Sequence, residues 1–351
     1  MNAPIKLTEF SPGSGCGCKL SPKDLAAIVH GTQTFAAAPD ARLLVGNDSN
    51  DDAAVYDIGN GQALISTTDF FTPIVNDPFL FGQIASVNAI SDVYAMGGQP
   101  LVAIGILGWP VKKLPIEVAQ KVLEGARSVC AQVGIALAGG HSIDISEPIF
   151  GLAVTGQVAI EHLKRNNSAQ AGCQLFLTKP LGVGILTTAE KRGILKPEHA
   201  SAAVDSMTRL NTLGMALGKL PGVTAMTDVT GFGLLGHLVE MCEGSGVNGV
   251  VRRHAVPLIE GLDYYLDQGS TPGGTKRNWQ SYGHKVSSIS ERDQMVLCDP
   301  QTSGGLLVAV TEEGMAAFQQ VSAAAGLSLH PLGELTAREG FSPDHPYVTV
   351  V

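Results

Sequence analysis

Apolar residues recur along this chain with two periods. Ile84, Val87, Ile90 and Tyr94 return every three to four positions, which predicts a helix over Pro78 to Met96, closed by Gly97-Gly98. Shorter runs rich in apolar and β-branched residues predict strands at Ala53 to Ile58, Ala63 to Thr67, Leu101 to Leu107 and Ile149 to Val158. A second helix is predicted from Pro115 to Val133. Ser21 as N-cap and Pro22 at the first helical position predict an earlier helix start.

The polar stretch Lys164-Arg165-Asn166-Asn167-Ser168 interrupts this order, and we take it as a domain boundary. A second alternating set follows it. Strands are predicted at Leu175 to Thr178, Val223 to Thr227 and Leu306 to Val310, with helices at Ala200 to Leu220, Leu234 to Cys242 and Glu312 to Ala325. Alternation of this kind predicts two α/β or α+β domains. The expected division is 1–40, 41–163 and 164–351.

Composition narrows the function classes. The chain has 351 residues, of which 44% are hydrophobic and only 16% charged, so it is expected to fold rather than remain disordered. The net charge of -9 argues against a generic nucleic-acid binder. No run of 18 apolar residues occurs, so no transmembrane helix is expected. The start, MNAPIKLTEF, does not read as a signal peptide. Six cysteines without a C-x-x-C pair are too few for a disulfide scaffold or a structural zinc site, and a reducing cytoplasm is the expected location. Glycine stands out at 42 residues, without the G-X-Y period of collagen. It must serve turns, tight packing or close approach of backbone to a ligand.

Four acidic positions sit beside apolar segments rather than on charged faces: Asp51-Asp52, Asp69, Asp92 and Asp228. Asn88 and Asp92 are four apart and share a helix face. If these acids converge, two charges ~5 Å apart repel by about 3 kcal/mol at an effective dielectric of ~20. Convergence would then require protonation or cations, and hard oxygen donors suit Mg²⁺. The alternative is that each Asp caps a turn; which of Asp51 and Asp52 would bind stays open. The glycine clusters Gly97-Gly98, Gly139-Gly140-His141-Ser142, Gly231-Phe232-Gly233 and Gly304-Gly305 fit either phosphate cradles or ordinary turns. No P-loop or dinucleotide fingerprint is present. The loop GSGCGCK carries Cys16, Cys18 and Lys19. A cation near a thiol lowers its pKa, so this loop could act as a lid delivering a nucleophile or a chalcogen, or be a tail with incidental cysteines. His141 and His237 lie in Gly-rich motifs and by themselves indicate nothing further.

Taken together, GSGCGCKLSPK, LLVGNDSNDDAAVYD, ISTTDFFTPIV, NAISDVYAMGG, GIALAGGHSID, LFLTKPLGVGILTTAEK, AMTDVTGFGLLGHL and LCDPQTSGGLL closely resemble the selenophosphate synthetase family, within the aminoimidazole-ribonucleotide synthetase superfamily. The matching runs follow in order over nearly the whole chain. The resemblance implies an α+β fold of two domains: residues 41–163 as an ATP- and metal-binding dimerisation domain whose strands form a β-barrel across a homodimer, and 164–351 as a C-terminal α+β domain. Residues 1–40 would be a mobile N-terminal segment and first helix. The implied reaction converts ATP, hydrogen selenide and water to selenophosphate, AMP and phosphate.

Under this resemblance Cys16 and Lys19 fall at catalytic positions, and Asp52, Asp69, Asp92 and Asp228 fall at metal-binding acids with Asn88 beside them. Lys19, Asp69 and Asp92 also face the nucleotide, while Gly139, Gly140, His141 and Ser142 fall in a nucleotide-binding loop. Mg²⁺ is the implied cofactor, ATP and selenide the substrates, and a selenium-delivery protein a possible partner; no nucleic acid or membrane is implied. The competing readings are a sibling ATP-dependent enzyme acting on another small substrate, and a non-catalytic thiol- or metal-binding module. The first would not need Cys16 or Lys19. The second would not explain acids spread over two domains.

Overall fold

The computed structural model describes residues 5–20, 28, 40–46, 51–338 and 345–351; the helix start expected at Ser21 and Pro22 lies outside them. Two six-stranded sheets organise the chain. The first contains β1 (Leu43–Val45), β2 (Ala54–Gly59), β3 (Gln62–Phe71), β4 (Gln99–Trp109), β5 (Ala136–Asp144) and β6 (Ile149–Ala159), in the order β1-β2-β3-β6-β4-β5. The second contains β7 (Gln174–Leu177), β8 (Val223–Asp228), β9 (Val247–Val251), β10 (Leu306–Val310), β11 (Gly333–Ala337) and β12 (Val348–Val350), in the order β12-β9-β11-β7-β10-β8. Both are mixed: β4 with β5 and β12 with β9 run parallel, and the other pairs are antiparallel. The architecture is α+β in two domains. The first sheet is open, with β1 and β5 as its edges.

Helix α1 (Pro78–Ala95) joins the two halves. Asp77 caps it by accepting from the backbone N–H of Leu80 at 2.9 Å, and Pro78 follows at the first turn. Residues from Phe81 to Ala95 are buried on every face apart from Gln83, as expected of a helix packed on both sides. On one side it meets β3, β6 and α2 (Ile116–Gln132). A Cβ on Gly82 would lie 1.9 Å from the carbonyl oxygen of Val122, and one on Gly125 would lie 2.0 Å from that of Phe79. These two glycines let α1 and α2 cross backbone to backbone, which accounts for part of the glycine excess.

In the second half, α3 (Val183–Lys191) follows β7. The single helix expected from Ala200 to Leu220 is instead two, α4 (Ala202–Thr208) and α5 (Leu213–Gly218). Tertiary contacts break it. Asn211 Nδ2 donates to Ser91 Oγ and to the carbonyl of Gly304, both at 2.8 Å. The carbonyl of Arg209 accepts from Lys179 Nζ at 2.6 Å. Helix α6 (Gly233–Ser245) follows β8, then come α7 (Leu262–Asp267) and α8 (Gly273–Tyr282).

The run Gly139-Gly140-His141-Ser142, expected as a loop, lies inside β5. Gly140 pairs with Gly105 so closely that a Cβ would meet the Gly105 carbonyl oxygen at 2.1 Å. Gly140 therefore serves a tight strand pairing in place of a turn.

Candidate active site

Four elements bring acids to one place. Asp52 lies two residues before β2, Asp69 stands near the end of β3, Asp92 lies on α1 and Asp228 ends β8. Strand alternation fixes Asp69: Ala63, Ile65, Asp69 and Phe71 are buried on the side facing α1 while Phe70 is exposed. Carboxylate oxygens of Asp52, Asp92 and Asp228 all lie within 4.8 Å of one another. Oδ2 of Asp52 and Oδ2 of Asp228 are buried without a hydrogen-bond partner. Hydroxyl groups hold two of the three: Thr67 Oγ1 donates to Asp92 Oδ2 at 2.5 Å, and Thr227 Oγ1 to Asp52 Oδ1 at 2.8 Å. Asp51 serves differently, accepting from the backbone N–H groups of Asp52 and Asn166. Of the two neighbours, Asp52 is the one that joins the acid cluster.

Electrostatics follow from this packing. Burial, then repulsion from Asp228, raises Asp52 well above the usual carboxylate range. Burial and the same neighbour raise Asp92. Burial lifts Asp228 to about 6, against a pull from Ser91 and Lys19 in the other direction. Three carboxyls that resist ionising, with two unpartnered oxygens turned inward, form a hard-oxygen donor set that fits Mg²⁺.

The segment carrying Cys16 and Lys19 closes over these acids. It forms a short 3₁₀ turn, Gly15–Cys18. Gly15 adopts φ +53 between Ile74 and Thr302, where a Cβ would lie 2.4 Å from each. Its N–H donates to the Thr72 carbonyl at 3.0 Å. Cys16 is 1% exposed; its N–H donates to Thr302 Oγ1 at 3.0 Å and its thiol to Asn88 Oδ1 at 3.3 Å. Lys19 Nζ donates to Asp69 Oδ2 at 3.2 Å, with its side chain 36% exposed. Arg277 on α8 donates to the Gly17 carbonyl at 2.9 Å and holds the turn from outside. The expected pull of Lys19 on the Cys16 thiol is present but is not the larger effect. Lys19 does pull it down, but burial pushes it up more strongly, so in this arrangement Cys16 is a protonated thiol. For Lys19, burial opposes the charge, but the surrounding acids, Asp69 first, outweigh it and raise the ammonium above its usual value.

The expected site residues divide into two groups. Cys16, Lys19, Asn88 and Asp69 form one hydrogen-bonded cluster, with Asn88 Nδ2 donating to Asp69 Oδ2 at 2.5 Å. Asp52, Asp92 and Asp228 form the acid triad beside it. Gly139, Gly140, His141 and Ser142 are not among them. Residue pairings run from Asp69 to Leu152, from Leu152 to Gly105 and from Gly105 to Gly140, so three strand spacings, roughly 14 Å, separate β5 from Asp69. His237 is buried and neutral, accepting from the Thr230 N–H at 3.1 Å; burial lowers its pKa to about 3.

Several contributors escaped the sequence reading. Thr67 and Thr227 orient acids, Thr302 and Ser303 contact Cys16 and Asn88, and Lys179 and Arg277 brace the surrounding loops. The dipeptide Thr-Asp, present at both Thr68-Asp69 and Thr227-Asp228, is a partial sequence signal for Thr227. No local pattern marks Lys179 as buried.

Residues 50–158 match the family model for the N-terminal domain of AIR synthase related proteins, and residues 170–345 match that for the C-terminal domain. The chain is 60% identical to a selenide, water dikinase of Pseudomonas putida, over 97% of this chain and 98% of the relative. It is 59% identical to that of Yersinia pseudotuberculosis, over 95% and 96%, and 57% identical to that of Haemophilus ducreyi over the whole of both chains. Among solved structures, a thiamine-monophosphate kinase from Stenotrophomonas maltophilia shares the fold at a TM-score of 0.64 and 19% identity, covering 95% of this chain and 96% of that one. A hydrogenase maturation protein, HypE, in complex with ATP does so at a TM-score of 0.62 and 17% identity, covering 95% and 90%. Over both of its domains, this chain belongs to the selenide, water dikinase family of AIR synthase related proteins.

Proposed function

We propose that the chain converts ATP, hydrogen selenide and water to selenophosphate, AMP and phosphate, and so supplies activated selenium for selenocysteine and selenouridine synthesis. The observation that carries this reading is the seating of a thiol and an ammonium group, Cys16 and Lys19, on the same cluster as a buried acid triad. A sibling ATP-dependent enzyme would have no use for that thiol, and a bare thiol module would have no use for the triad.

Asp52, Asp92 and Asp228 would hold Mg²⁺. When bound, the ion neutralises phosphate oxygens, which is where phosphoryl transfer needs positive charge. The chain's own groups divide the remaining work. Thr67 and Thr227 fix the carboxylates. Lys19 supplies a point charge for the γ-phosphate, with Asp69 and Asn88 setting its position. Cys16 holds or positions the chalcogen within reach of the phosphate. Selenide, anionic at neutral pH, attacks the γ-phosphorus, the bond to the bridging oxygen breaks, and ADP leaves. ADP retained in the site is then hydrolysed to AMP and phosphate. Product analysis tests the sequence of steps: AMP and selenophosphate should form in equal amounts, and accumulation of ADP as the end product would refute it.

The outer face of the first sheet leaves Phe70 at 46% exposure, Leu101 at 41%, Ile104 at 47% and Ile143 at 51%, and among the described residues β5 is an edge strand of that sheet. A second copy covering this face would complete a barrel across a homodimer and bring its own Gly139, Gly140, His141 and Ser142 to the nucleotide. Loading Cys16 from a selenium-delivery protein requires the Gly15–Cys18 turn to leave its seat, because the thiol is enclosed. Six free thiols, five of them buried, suit a reducing cytoplasm.

A further inference from the structure

Lys179 follows β7 and has no part in the chemistry described above. It is 2% exposed. A buried ammonium is costly unless its donors are used. Here they go to main-chain carbonyls: Arg209 at 2.6 Å, between α4 and α5, and Ser303 at 2.8 Å. Ser303 has φ +52, one of two non-glycine residues in the left-handed region among those described. That conformation is strained for a side-chain-bearing residue and persists only where neighbours enforce it.

The turn containing Ser303 is packed from several sides. A Cβ on Gly304 would lie 1.9 Å from the Val229 carbonyl, and one on Gly305 would lie 2.3 Å from the backbone nitrogen of Lys179. Its polar groups run directly to the reacting cluster. Thr302 Oγ1 accepts the Cys16 N–H, and the Ser303 N–H donates to Asn88 Oδ1 at 2.7 Å, the atom that also receives the Cys16 thiol. The other amide atom of Asn88 holds Asp69, which holds Lys19.

We infer that Lys179 is a positioning residue: by tying the Ser303 carbonyl to that of Arg209, it locks the 301–305 turn in the shape that seats Cys16 and aims the Asn88 amide at Asp69. Its bearing on catalysis rests on the function proposed above; its bearing on Cys16 does not. Thr302, Ser14 and Gly17 also line a cavity of about 330 Å³, so a turn that slips opens Cys16 to reagent from that cavity.

Site-resolved alkylation by iodoacetamide, read by mass spectrometry without ATP or metal, tests the placement. Cys18 is exposed and reports full reactivity, while Cys130, Cys242 and Cys298 are buried and report global loosening. Lys179→Met should raise the Cys16 alkylation rate by about tenfold or more while the three buried controls stay slow, as for a local opening. Lys179→Gln, which keeps amide donors one bond shorter, should give an intermediate rate and decides the matter if the Met variant does not fold. In selenide assays kcat should fall with the KM for ATP unchanged. A folded variant whose Cys16 stays as slow as wild type overturns the inference, and so does a parallel rise at all buried cysteines. If wild type forms no AMP in response to selenide, the proposed function fails, and the labelling result still stands alone.

Discussion

The ammonium of Lys19 lies 3.2 Å from Oδ2 of Asp69, the oxygen that also receives the side-chain amide of Asn88. One carboxylate oxygen thus docks the N-terminal segment onto β3 and α1 together. Asp69 lies outside the acid triad, so the docking does not consume the triad's oxygens.

A charge placed where negative charge develops is worth most in the transition state. Lys19→Met should therefore lower selenide-dependent AMP formation by about a hundredfold or more. The KM for ATP should change far less than kcat, because the triad remains intact. Steady-state AMP production measures this, and a kcat within threefold of wild type would count against the role of Lys19, threefold being about 0.65 kcal/mol.

Cys16 and Cys18 are two residues apart and differ in setting: Cys16 is buried against Asn88, whereas Cys18 is exposed. Cys16→Ser should abolish selenide-dependent turnover and leave ATP affinity, measured by calorimetry, close to wild type. Cys18→Ser should retain most activity. Equal losses in the two variants would show that the seat of Cys16 is irrelevant.

Much of this site was legible in the sequence, for a physical reason. Asn88 and Asp92 share a face because helical periodicity is local, and α1 keeps that period throughout. Asp69 and Asp228 sit near strand ends that apolar runs already marked. The rest depended on contacts between distant segments. Cys16 meets Thr302 across 286 positions, and no local pattern encodes that. Gly139 to Ser142 read as a loop because consecutive glycines favour turns; strand pairing with Gly105 decided otherwise. The Ala200 to Leu220 run kept helical spacing, and Lys179 and Asn211 broke it through carbonyl and amide contacts. The pull of Lys19 on the Cys16 thiol is legible from their spacing, but burial is a property of the folded chain, and here it outweighs the neighbouring cation.

The exposed face of the first sheet gives a test of assembly. Ile104 is 47% exposed on β4 beside the β5 edge. Ile104→Asp should turn a dimer into a monomer in sedimentation velocity, since burying an unpaired carboxylate is unfavourable. Activity should fall with it, because each site would lose the partner's Gly139 to Ser142. A variant that sediments as wild type places the interface elsewhere.

The acid triad makes a prediction with a definite sign. The folded pKa of Asp228 is about 6, raised by burial from an ordinary 3.8. A group raised in this way contributes stability that is fully present below about 3.8 and is lost as pH rises through about 6. By pH 8, without metal, the ionised carboxylate destabilises the fold. Asp228→Asn removes that cost. In EDTA at pH 8 the variant should melt at a higher temperature than wild type, and the gap should close as pH falls toward 4. Added Mg²⁺ should raise the wild-type melting temperature at pH 8 and leave the variant nearly unmoved, because ligand binding stabilises only the chain that binds it. Scanning calorimetry with and without Mg²⁺ reads both effects. If metal-free wild type melts above the variant at pH 8, the triad is held together by something other than the cation it fits.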